Sequence, residues 1–448
     1  MQSPEDARTI AESLVTRAIN AGATAADALY AGGRSSDVQV RLGELEGAGH
    51  SEGEEIGLRI FVGQRSATVA SSDLSDEALG ALVERCLAMA REAPEDPYAG
   101  LAPPELLQRG ELPFLDAIDE YDPDPAELRA RALSAEQAAL AVSGVTNSNG
   151  ASASASRSSV ALATSGGFSG AYRSSSFGCG VSVIAGEGSG MQRAHRSHST
   201  RHQSDLENAE DIGREAGERA VAKLNPGRPK AGRYAILFDS RVSATLLGGL
   251  AGAISGSSIA SKTSFLQDKL GERIFAKGVT IVDDPLRLRG LRSRPFDGEG
   301  LRVSRRELIA DGVLTSWMAT SADARQLGIA PTGHAARGAG GAPGASPSNL
   351  FIKAGARSRE ELLAAFPEAV LVTEMIGHGT NLVTGDYSRG ASGFMVRNGE
   401  IAEPVAEITI ASNLLHMFAK LEPGSDLEFR RGIDAPTILI PEMTVGAA

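Results

Sequence analysis

Three histidines form the densest group of potential metal ligands in the sequence. His195, His198 and His202 lie within the segment AHRSHSTRH. This segment alternates like a β-strand, in which residues three apart face opposite sides of the sheet. His198 and His202 would share a face but lie roughly 13 Å apart along the strand, at ~3.3 Å per residue, whereas zinc binds nitrogen ligands at about 2.0–2.1 Å. The spacing therefore favours a solvated polar strand over a metal site.

The motifs that usually mark a catalytic centre are missing. Neither HExxH nor HExxxH occurs among the 448 residues, so the helix that holds zinc in many peptidases is absent. The sequence also has no P-loop and no GxGxxG at a strand–helix junction, and no G-x-S-x-G elbow is followed by a helix. We therefore expect neither a metal nor a nucleotide cofactor in this chain.

The two cysteines, Cys86 and Cys179, do not form a disulfide framework. Cys86 lies in a helical pattern, ALVERCLAMA, and Cys179 in a strand pattern, FGCGVSV. Free cysteines in such patterns are most often buried small apolar residues. We interpret both in this way and not as ligands or nucleophiles.

Charge and hydropathy limit the partners that we expect. The formal net charge is −12, and an acidic surface repels the phosphate backbone of DNA. The start, MQSPEDARTIAESL, lacks the basic and apolar regions of a signal peptide. No apolar run approaches the ~18–20 residues that span a bilayer. We expect a cytoplasmic protein without direct nucleic-acid or membrane contacts.

The periodicity of apolar residues divides the chain into three parts. Residues 1–93 combine helical and strand patterns, and 93–114 hold five prolines, too many for regular structure. Residues 94–224 form a middle segment with a helix, an antiparallel meander over 144–202 and a second helix over 206–224. NPGRPKAG reads as a linker before a C-terminal part, 233–448. The Gly/Ala-rich stretch 333–349 predicts a flexible loop.

Two C-terminal segments carry more specific signals. In 240–274 an apolar helical stripe contains Gly248, Gly249 and Gly252, each of which costs about 1 kcal/mol relative to alanine. Close packing of another backbone against the bare surface would offset that cost. In 385–418, Asn398-Gly399 predicts a type I′ hairpin, and Ser412 or Asn413 is placed to cap a short helix.

These segments resemble the TldD/PmbA family, and within it the TldE (PmbA) branch, the subunit that lacks the HExxxH metal motif. The resemblance covers almost the whole chain, and GDYSRGA-x-GF is a specific motif. The matching stretches are GDYSRGASGF followed by NGEI, PVAEITIASNL, ILIPEM, TLLGGLAGAISGSSIASKTSFL and SVIAGEGSGMQR.

The resemblance implies which positions of this chain correspond to the metal motif of the family. In the TldD subunit of this family a helix carries HExxxH, and the metal, expected to be zinc, is bound there. The two histidines and the glutamate fall here on Gly248, Ala253 and Gly249, respectively, and none of these residues can bind a cation or activate water. The resemblance also implies an α+β fold, with an N-terminal α/β domain and a β-rich C-terminal domain with a curved antiparallel sheet.

The resemblance further implies a heterodimer with a TldD-like subunit that encloses a cavity for unfolded peptides, which can be held there as an added strand. Asp386, Tyr387, Ser388 and Arg389 are the candidates for lining that cavity, although a local salt bridge between Asp386 and Arg389 that braces a turn is the simpler interpretation. The isolated chain could form a homodimer.

Two other functions remain open. A regulatory peptide- or protein-binding module of the gyrase-modulator type would bind without hydrolysis. An independent hydrolase with a recruited metal at His195 and His198 is the third hypothesis.

Overall fold

A six-stranded sheet organises the first half of the chain. The computed structural model describes residues 1–447. The strands of this sheet are β1 (Ala25–Arg41), β2 (Glu44–Val62), β3 (Arg65–Ser71), β4 (Val145–Thr164), β5 (Ser169–Ala185) and β6 (Gln192–Thr200). Their order is β3-β2-β1-β4-β5-β6, and every neighbouring pair is antiparallel. The predicted boundary at residue 93 thus separates strands that share one sheet.

Four helices cover one face of this sheet and give it two hydrophobic cores. They are α1 (Pro4–Asn20), α2 (Asp76–Glu92), α3 (Pro125–Leu140) and α4 (Ala209–Ala222). Each begins at a polar cap, and Asp124 forms a complete capping box with Glu127. Helices α1 and α2 enclose one core and α3 and α4 the other. The two helices predicted for the middle segment are confirmed as α3 and α4, the second with small shifts at its ends, and the helical patterns within residues 1–93 correspond to α1 and α2.

The other face of the sheet packs against the C-terminal lobe. Leu29 and Leu162 of the sheet join Phe168, Phe296 and Leu301 in a small apolar cluster. Phe168 and Phe296 meet edge to face with ring centroids 4.8 Å apart. This cluster is one of the contacts between the two lobes.

The C-terminal lobe contains a closed sheet, a second mixed sheet and short helices. Its strands are β7 (Gly232–Phe238), β8 (Ile281–Asp283), β9 (Arg306–Ala310), β10 (Val313–Leu314), β11 (Ala335–Ala336), β12 (Gly344–Ala345), β13 (Leu350–Ile352), β14 (Glu368–Ile376), β15 (Asp386–Arg397), β16 (Glu400–Asn413), β17 (Glu422–Pro423), β18 (Ile433–Asp434) and β19 (Ile438–Ala447). Its helices are α5 (Ser240–Ala253), α6 (Gly256–Ala260), α7 (Ser321–Leu327), α8 (Arg359–Leu363) and α9 (Leu414–Lys420). Among residues 1–447, no helix is both long and apolar enough to cross a bilayer.

The curved sheet of this lobe closes on itself. Strands β16, β15, β14, β7 and β19 follow one another, and β16 also pairs with β19. The expected α+β architecture with a curved C-terminal sheet is confirmed. The sheet is mixed, however, because β7 and β14 run parallel. Helix α5 contributes Leu246, Leu247 and Leu250 to its core. The last residue of the predicted domain 233–448 lies outside the described residues.

The local turn signals of this lobe are confirmed. Asn398 and Gly399 connect β15 to β16 with φ angles of 51° and 88°, the two positive values that a type I′ turn requires. Asn413 caps helix α9 by accepting a hydrogen bond from the Leu415 backbone N–H. Of the two predicted caps, Asn413 is therefore the one used.

The Gly/Ala-rich stretch 333–349 is anchored, so the prediction of a flexible loop is wrong. Arg337 reaches the first lobe and donates to Asp27 at 2.6 Å. The Ala335 backbone N–H donates to the buried Asp297 carboxylate at 3.1 Å. The Ala339 carbonyl lies so close to Gly57 of β2 that no Cβ would fit there. Small residues let this segment lie flat against the sheet and tie the lobes together.

Candidate functional site

A cleft of about 770 Å³ lies between the two lobes. One wall consists of β6 and α4 from the first lobe. The other wall consists of β14, β15, the start of α5 and residues 428–435. Four other cavities in the described part of the chain are smaller, with volumes of about 100 to 490 Å³.

The cleft is rich in cations, although the chain as a whole is acidic. Five carboxylates line it: Glu215, Asp239, Glu374, Glu428 and Asp434. Eight cationic side chains line it: Arg196, Arg219, Lys223, Arg241, Arg359, Arg389, Arg430 and Arg431. The lining thus has an excess of three positive charges, against a net charge of −12 for the chain.

Asp239 connects this charged lining to helix α5. It caps the helix by accepting from the Arg241 backbone N–H, and it pairs with the side chains of Arg241 at 2.6 Å and Arg359 at 3.2 Å. Burial by itself raises the pKa of Asp239, but the hydrogen bond and charge of Arg241 outweigh it and hold the pKa below its ordinary value. The ionised carboxylate therefore fixes Arg241 at the floor of the cleft.

The four predicted cavity residues separate into two faces of β15. Arg389 lines the cleft, and Tyr387 is buried in the core on the same face. Asp386 and Ser388 are exposed on the opposite face. Asp386 accepts from Thr384 Oγ1 at 2.7 Å, and Arg389 donates to the Gly377 carbonyl at 2.7 Å. The predicted salt bridge between Asp386 and Arg389 is therefore wrong, because residues three apart in a strand point to opposite sides.

Arg389 and Tyr387 each carry a buried polar atom. Arg389 Nε and the Tyr387 hydroxyl are buried and have no hydrogen-bond partner within residues 1–447. Burial raises the pKa of Tyr387 to about 12, and nearby Arg389 only partly opposes that effect. The Tyr387 hydroxyl therefore stays protonated at neutral pH. A buried donor without a partner is costly, so an acceptor oxygen that reached Arg389 Nε from the cleft would be stabilised.

The three positions that match the family's metal motif carry no donor atoms on their side chains. Gly248 is exposed, with no atom within 4 Å of the place where a Cβ would lie. Ala253 is fully buried. A Cβ at Gly249 would meet side chains of Leu414 and Thr380. Hydrogen and methyl substituents cannot bind a cation, so these positions do not fit a metal.

The expectation that another backbone packs against the glycines of α5 is wrong. The nearest atoms around a Cβ at Gly249 and Gly252 belong to side chains, and at Gly252 the closest is Leu382 Cδ1 at 2.9 Å. The loop 377–385 supplies Thr380 and Leu382 to this surface. Gly249 and Gly252 thus leave room for the loop 377–385, whereas the helix surface at Gly248 has no neighbouring atoms within 4 Å of a Cβ position.

The three histidines do not converge on a common point. His195 is exposed in the cleft lining, whereas His198 Nδ1 accepts from the Glu207 backbone N–H at 3.1 Å. His202 lies beyond the end of β6 and contacts the Asp116 carbonyl at 2.9 Å. The interpretation as a solvated polar strand thus holds for His195 only. Nowhere in 1–447 do three histidine, cysteine or carboxylate side chains come together as metal ligands.

Both cysteines are buried, as predicted. Burial raises the pKa of the Cys86 thiol and of the Cys179 thiol to about 11. The thiolate, which is the nucleophilic form, is therefore scarce at neutral pH. Neither residue lines the cleft.

Replacing Gly248 by alanine is expected to stabilise the protein by about 1 kcal/mol, because alanine is the better helix former and nothing occupies the space around its Cβ. The free energy of unfolding in urea measures this gain. Gly252→Ala is the matched control on the same helix, with a smaller gain or a loss because its Cβ would meet Leu382. A loss of stability in Gly248→Ala would contradict the open geometry.

Only Arg389 of the seven arginines that line the cleft was predicted from the sequence. The others come from β6, α4, α5, α8 and residues 430–431, segments that lie far apart along the chain. No spacing rule connects them. The only local signal is the pair Arg430–Arg431 in EFRRG, which by itself is typical of a solvated turn.

Comparison with known proteins places the chain in one family along most of its length. Residues 26–90 match domain 1 of the PmbA/TldA metallopeptidases, residues 118–224 the central domain and residues 231–447 the C-terminal domain.

The chain is 38% identical over 410 residues to the metalloprotease PmbA of Escherichia coli, covering 91% of this chain and 89% of that protein. It is 35% identical over 411 residues to a PmbA homologue of Haemophilus influenzae, covering 91% and 89% of the two chains. The fold matches a putative modulator of DNA gyrase from Bacteroides thetaiotaomicron, with a TM-score of 0.92, 24% identity and full coverage of both chains. It also matches TldE from Thermococcus kodakarensis, with a TM-score of 0.87, 19% identity and 98% and 99% coverage. This chain belongs to the PmbA/TldD family of metallopeptidases.

Proposed function

We propose that this chain is the non-catalytic, TldE/PmbA-type subunit of a two-subunit metallopeptidase that acts on unfolded peptides. A TldD-like partner carries the HExxxH helix and the divalent metal, zinc in this proposal. The observation that carries the proposal is the chemistry of α5, where Gly248, Gly249 and Ala253 offer no side-chain donor. This chain completes the chamber and shapes the site in which the partner cuts.

The cleft between the lobes is the part of this chain that would receive the peptide. Strand β6 is the last strand of its sheet, and residues 194–197 line the cleft, so one edge of β6 beside the cavity is free of a partner strand. The Ser197 and Arg193 carbonyls of β6 accept from the side chains of Arg196 and Lys223, at 2.7 and 3.1 Å. An extended peptide can add to such an edge through main-chain hydrogen bonds, with little sequence preference. Strand β15 is unsuitable for this, because both of its edges are paired.

A second candidate function is a regulatory module that binds peptides or a protein without supporting hydrolysis. Its support is that no three histidine, cysteine or carboxylate side chains in the described part of the chain, the cleft included, come together as metal ligands. One solved protein with the same fold is described as a putative modulator of DNA gyrase. The net charge of −12 disfavours direct contact with DNA, so such a module would act on protein.

The test is a hydrolysis assay with the purified chain, a purified TldD-like partner and a mixture of both. Short unstructured peptides serve as substrates, and their fragments are measured by mass spectrometry. We expect fragments from the mixture only and no cleavage after addition of a chelator. Chelator-sensitive cleavage by this chain alone would overturn the proposal. Stable peptide binding without acceleration of the partner would favour the regulatory module.

A further inference from the structure

Two carboxylates at the inter-lobe cleft, Glu215 and Glu207, are each shared between two arginines. Glu215 accepts from Arg196 Nε at 2.6 Å and also pairs with Arg219. Glu207 accepts from Arg196 Nη2 at 2.6 Å and also pairs with Arg430. Arg430 also pairs with Glu428 at 2.6 Å, so three carboxylates balance these three arginines. The excess positive charge of the lining lies on the other arginines, because Asp239 is shared between Arg241 and Arg359 and, in the described part of the chain, Arg431 pairs with no carboxylate.

Arg431 has no carboxylate within ion-pair distance among the described residues, although it lines the cleft. Its Nη1 donates to the Arg241 carbonyl at 2.6 Å, which places the two arginines side by side. Burial lowers the pKa of Arg431; the charge of Asp434 opposes this, and the neighbouring Arg196 and Arg241 add to the lowering. Burial, with Arg241 as a further cause, also lowers the pKa of Arg219 to about 10. These guanidinium groups repel one another.

We propose that this cleft binds a carboxylate group of an extended peptide that lies along the free edge of β6. The binding group is an arginine cluster that consists of Arg196, Arg219, Arg241, Arg430 and Arg431. The inference deepens the proposed function and rests on it for the nature of the ligand. It assigns a class of substrate: peptides that carry an acidic side chain or a free C-terminus.

Geometry and charge both support this choice of ligand. Guanidinium groups bind carboxylates through paired, charge-assisted hydrogen bonds. His195 and Ser197 of β6 line the cavity on either side of Arg196 in the strand, so a peptide on the free edge lies beside the cluster. A polyanion such as nucleic acid would meet repulsion from the rest of the surface, with its net charge of −12. A peptide with a single carboxylate carries one negative charge, so the acidic surface repels it much less.

Isothermal titration calorimetry with the full chain tests the proposal. The probes are three short, acetylated peptides of serine, alanine and glutamine. The first has a glutamate at its centre and an amidated C-terminus, and the second, neutral peptide has glutamine at the centre and an amidated C-terminus. The third has glutamine at the centre and a free C-terminal carboxylate. We expect at least one of the two anionic peptides to bind about tenfold more tightly than the neutral one, as hydrogen bonds to charged groups imply. Which of them binds tells whether the carboxylate comes from a side chain or from the C-terminus.

Arg431→Gln should remove this preference. The Arg431 side chain donates only to a backbone carbonyl, so its loss breaks no ion pair among the described residues and the fold should be retained. Arg109→Gln is the matched control, because the Arg109 side chain likewise donates to a backbone carbonyl, that of Pro104, and lies outside the cleft. We expect Arg431→Gln to reduce the affinity for the anionic peptide about tenfold, while Arg109→Gln leaves the affinity unchanged.

Equal affinities for the three peptides, no binding of any of them at millimolar concentration, or equal effects of the two variants would each overturn the carboxylate site. These measurements use this chain alone and need no hydrolysis. A failure here therefore leaves the role as a non-catalytic subunit standing. Failure of the mixed hydrolysis assay would in turn leave the binding measurements intact.

Discussion

Replacing Asp27 by alanine is expected to reduce the free energy of unfolding by about 3–5 kcal/mol, the cost of leaving a buried charge without its partner. Asp27 Oδ2 accepts from Arg59 Nε at 2.9 Å, and Oδ1 accepts from Arg337 Nη1 at 2.6 Å. The side chains of Asp27 and Arg337 are only 2% and 3% exposed. Without Asp27, two guanidinium groups stay buried at the contact between the lobes. Urea unfolding followed by circular dichroism measures the loss.

The pH dependence of this effect has a definite sign. Burial by itself raises the pKa of Asp27, but the charges of Arg59 and Arg337 outweigh it and hold the pKa below its unfolded value of 3.8. The stabilisation is therefore fully present above pH 3.8 and is lost as the pH falls through the lower, folded pKa. The difference between the wild-type protein and Asp27→Ala should be constant near neutral pH and shrink only below about pH 4.

Asp122→Ala is the control for this prediction. Asp122 pairs with Arg34 at 2.8 Å, but its side chain is 61% exposed. Exposed ion pairs contribute less than about 1 kcal/mol, so this variant should be nearly as stable as the wild-type protein. If Asp27→Ala cost no more than Asp122→Ala, the buried ion pairs would not be what holds the lobes together.

Gly57→Ala is expected to destabilise the protein by about 1–3 kcal/mol, the usual cost of forcing an extra methyl group into a filled space. A Cβ at Gly57 would fall within 3.0 Å of the Ala339 carbonyl, a distance that real Cβ atoms essentially never reach. The segment 333–349 would have to lift from β2, which weakens the link between the lobes. Urea unfolding measures the stability, and limited proteolysis within 338–345 measures the release of the segment.

Gly53→Ala provides the control on the same strand. No atom lies within 4 Å of a Cβ at Gly53, so the change should stay within about 0.5 kcal/mol, as for most surface substitutions. Proteolysis of 338–345 should also be unchanged in this variant. Similar behaviour of the two glycine variants would mean that the segment does not depend on its contact with β2.

Local signals in the sequence predicted the elements of the fold well. Asp124 and Asn413 cap helices through bonds that span two or three residues, and Asn398-Gly399 adopts the two positive φ angles that its turn needs. Such signals can be read from the sequence because the interacting groups are only a few residues apart along the chain. The absence of donors at Gly248, Gly249 and Ala253 is likewise a property of residue type, which no folding can change.

Contacts between residues that are far apart in the sequence determined how the lobes pack together and how the cleft is formed. Asp27 and Arg337 are 310 residues apart, and their bond turned a segment with the composition of a flexible loop into an anchor between the lobes. The pairing of β16 with β19 closes the C-terminal sheet, in which both edges of β15 are paired. Strand β6, in the other sheet, has an edge without a partner strand beside the cleft. The arginine cluster of that cleft forms only because four separate segments pack together: β6, α4, α5 and residues 430–431. Packing over such separations depends on the whole chain, so local patterns in the sequence do not contain it.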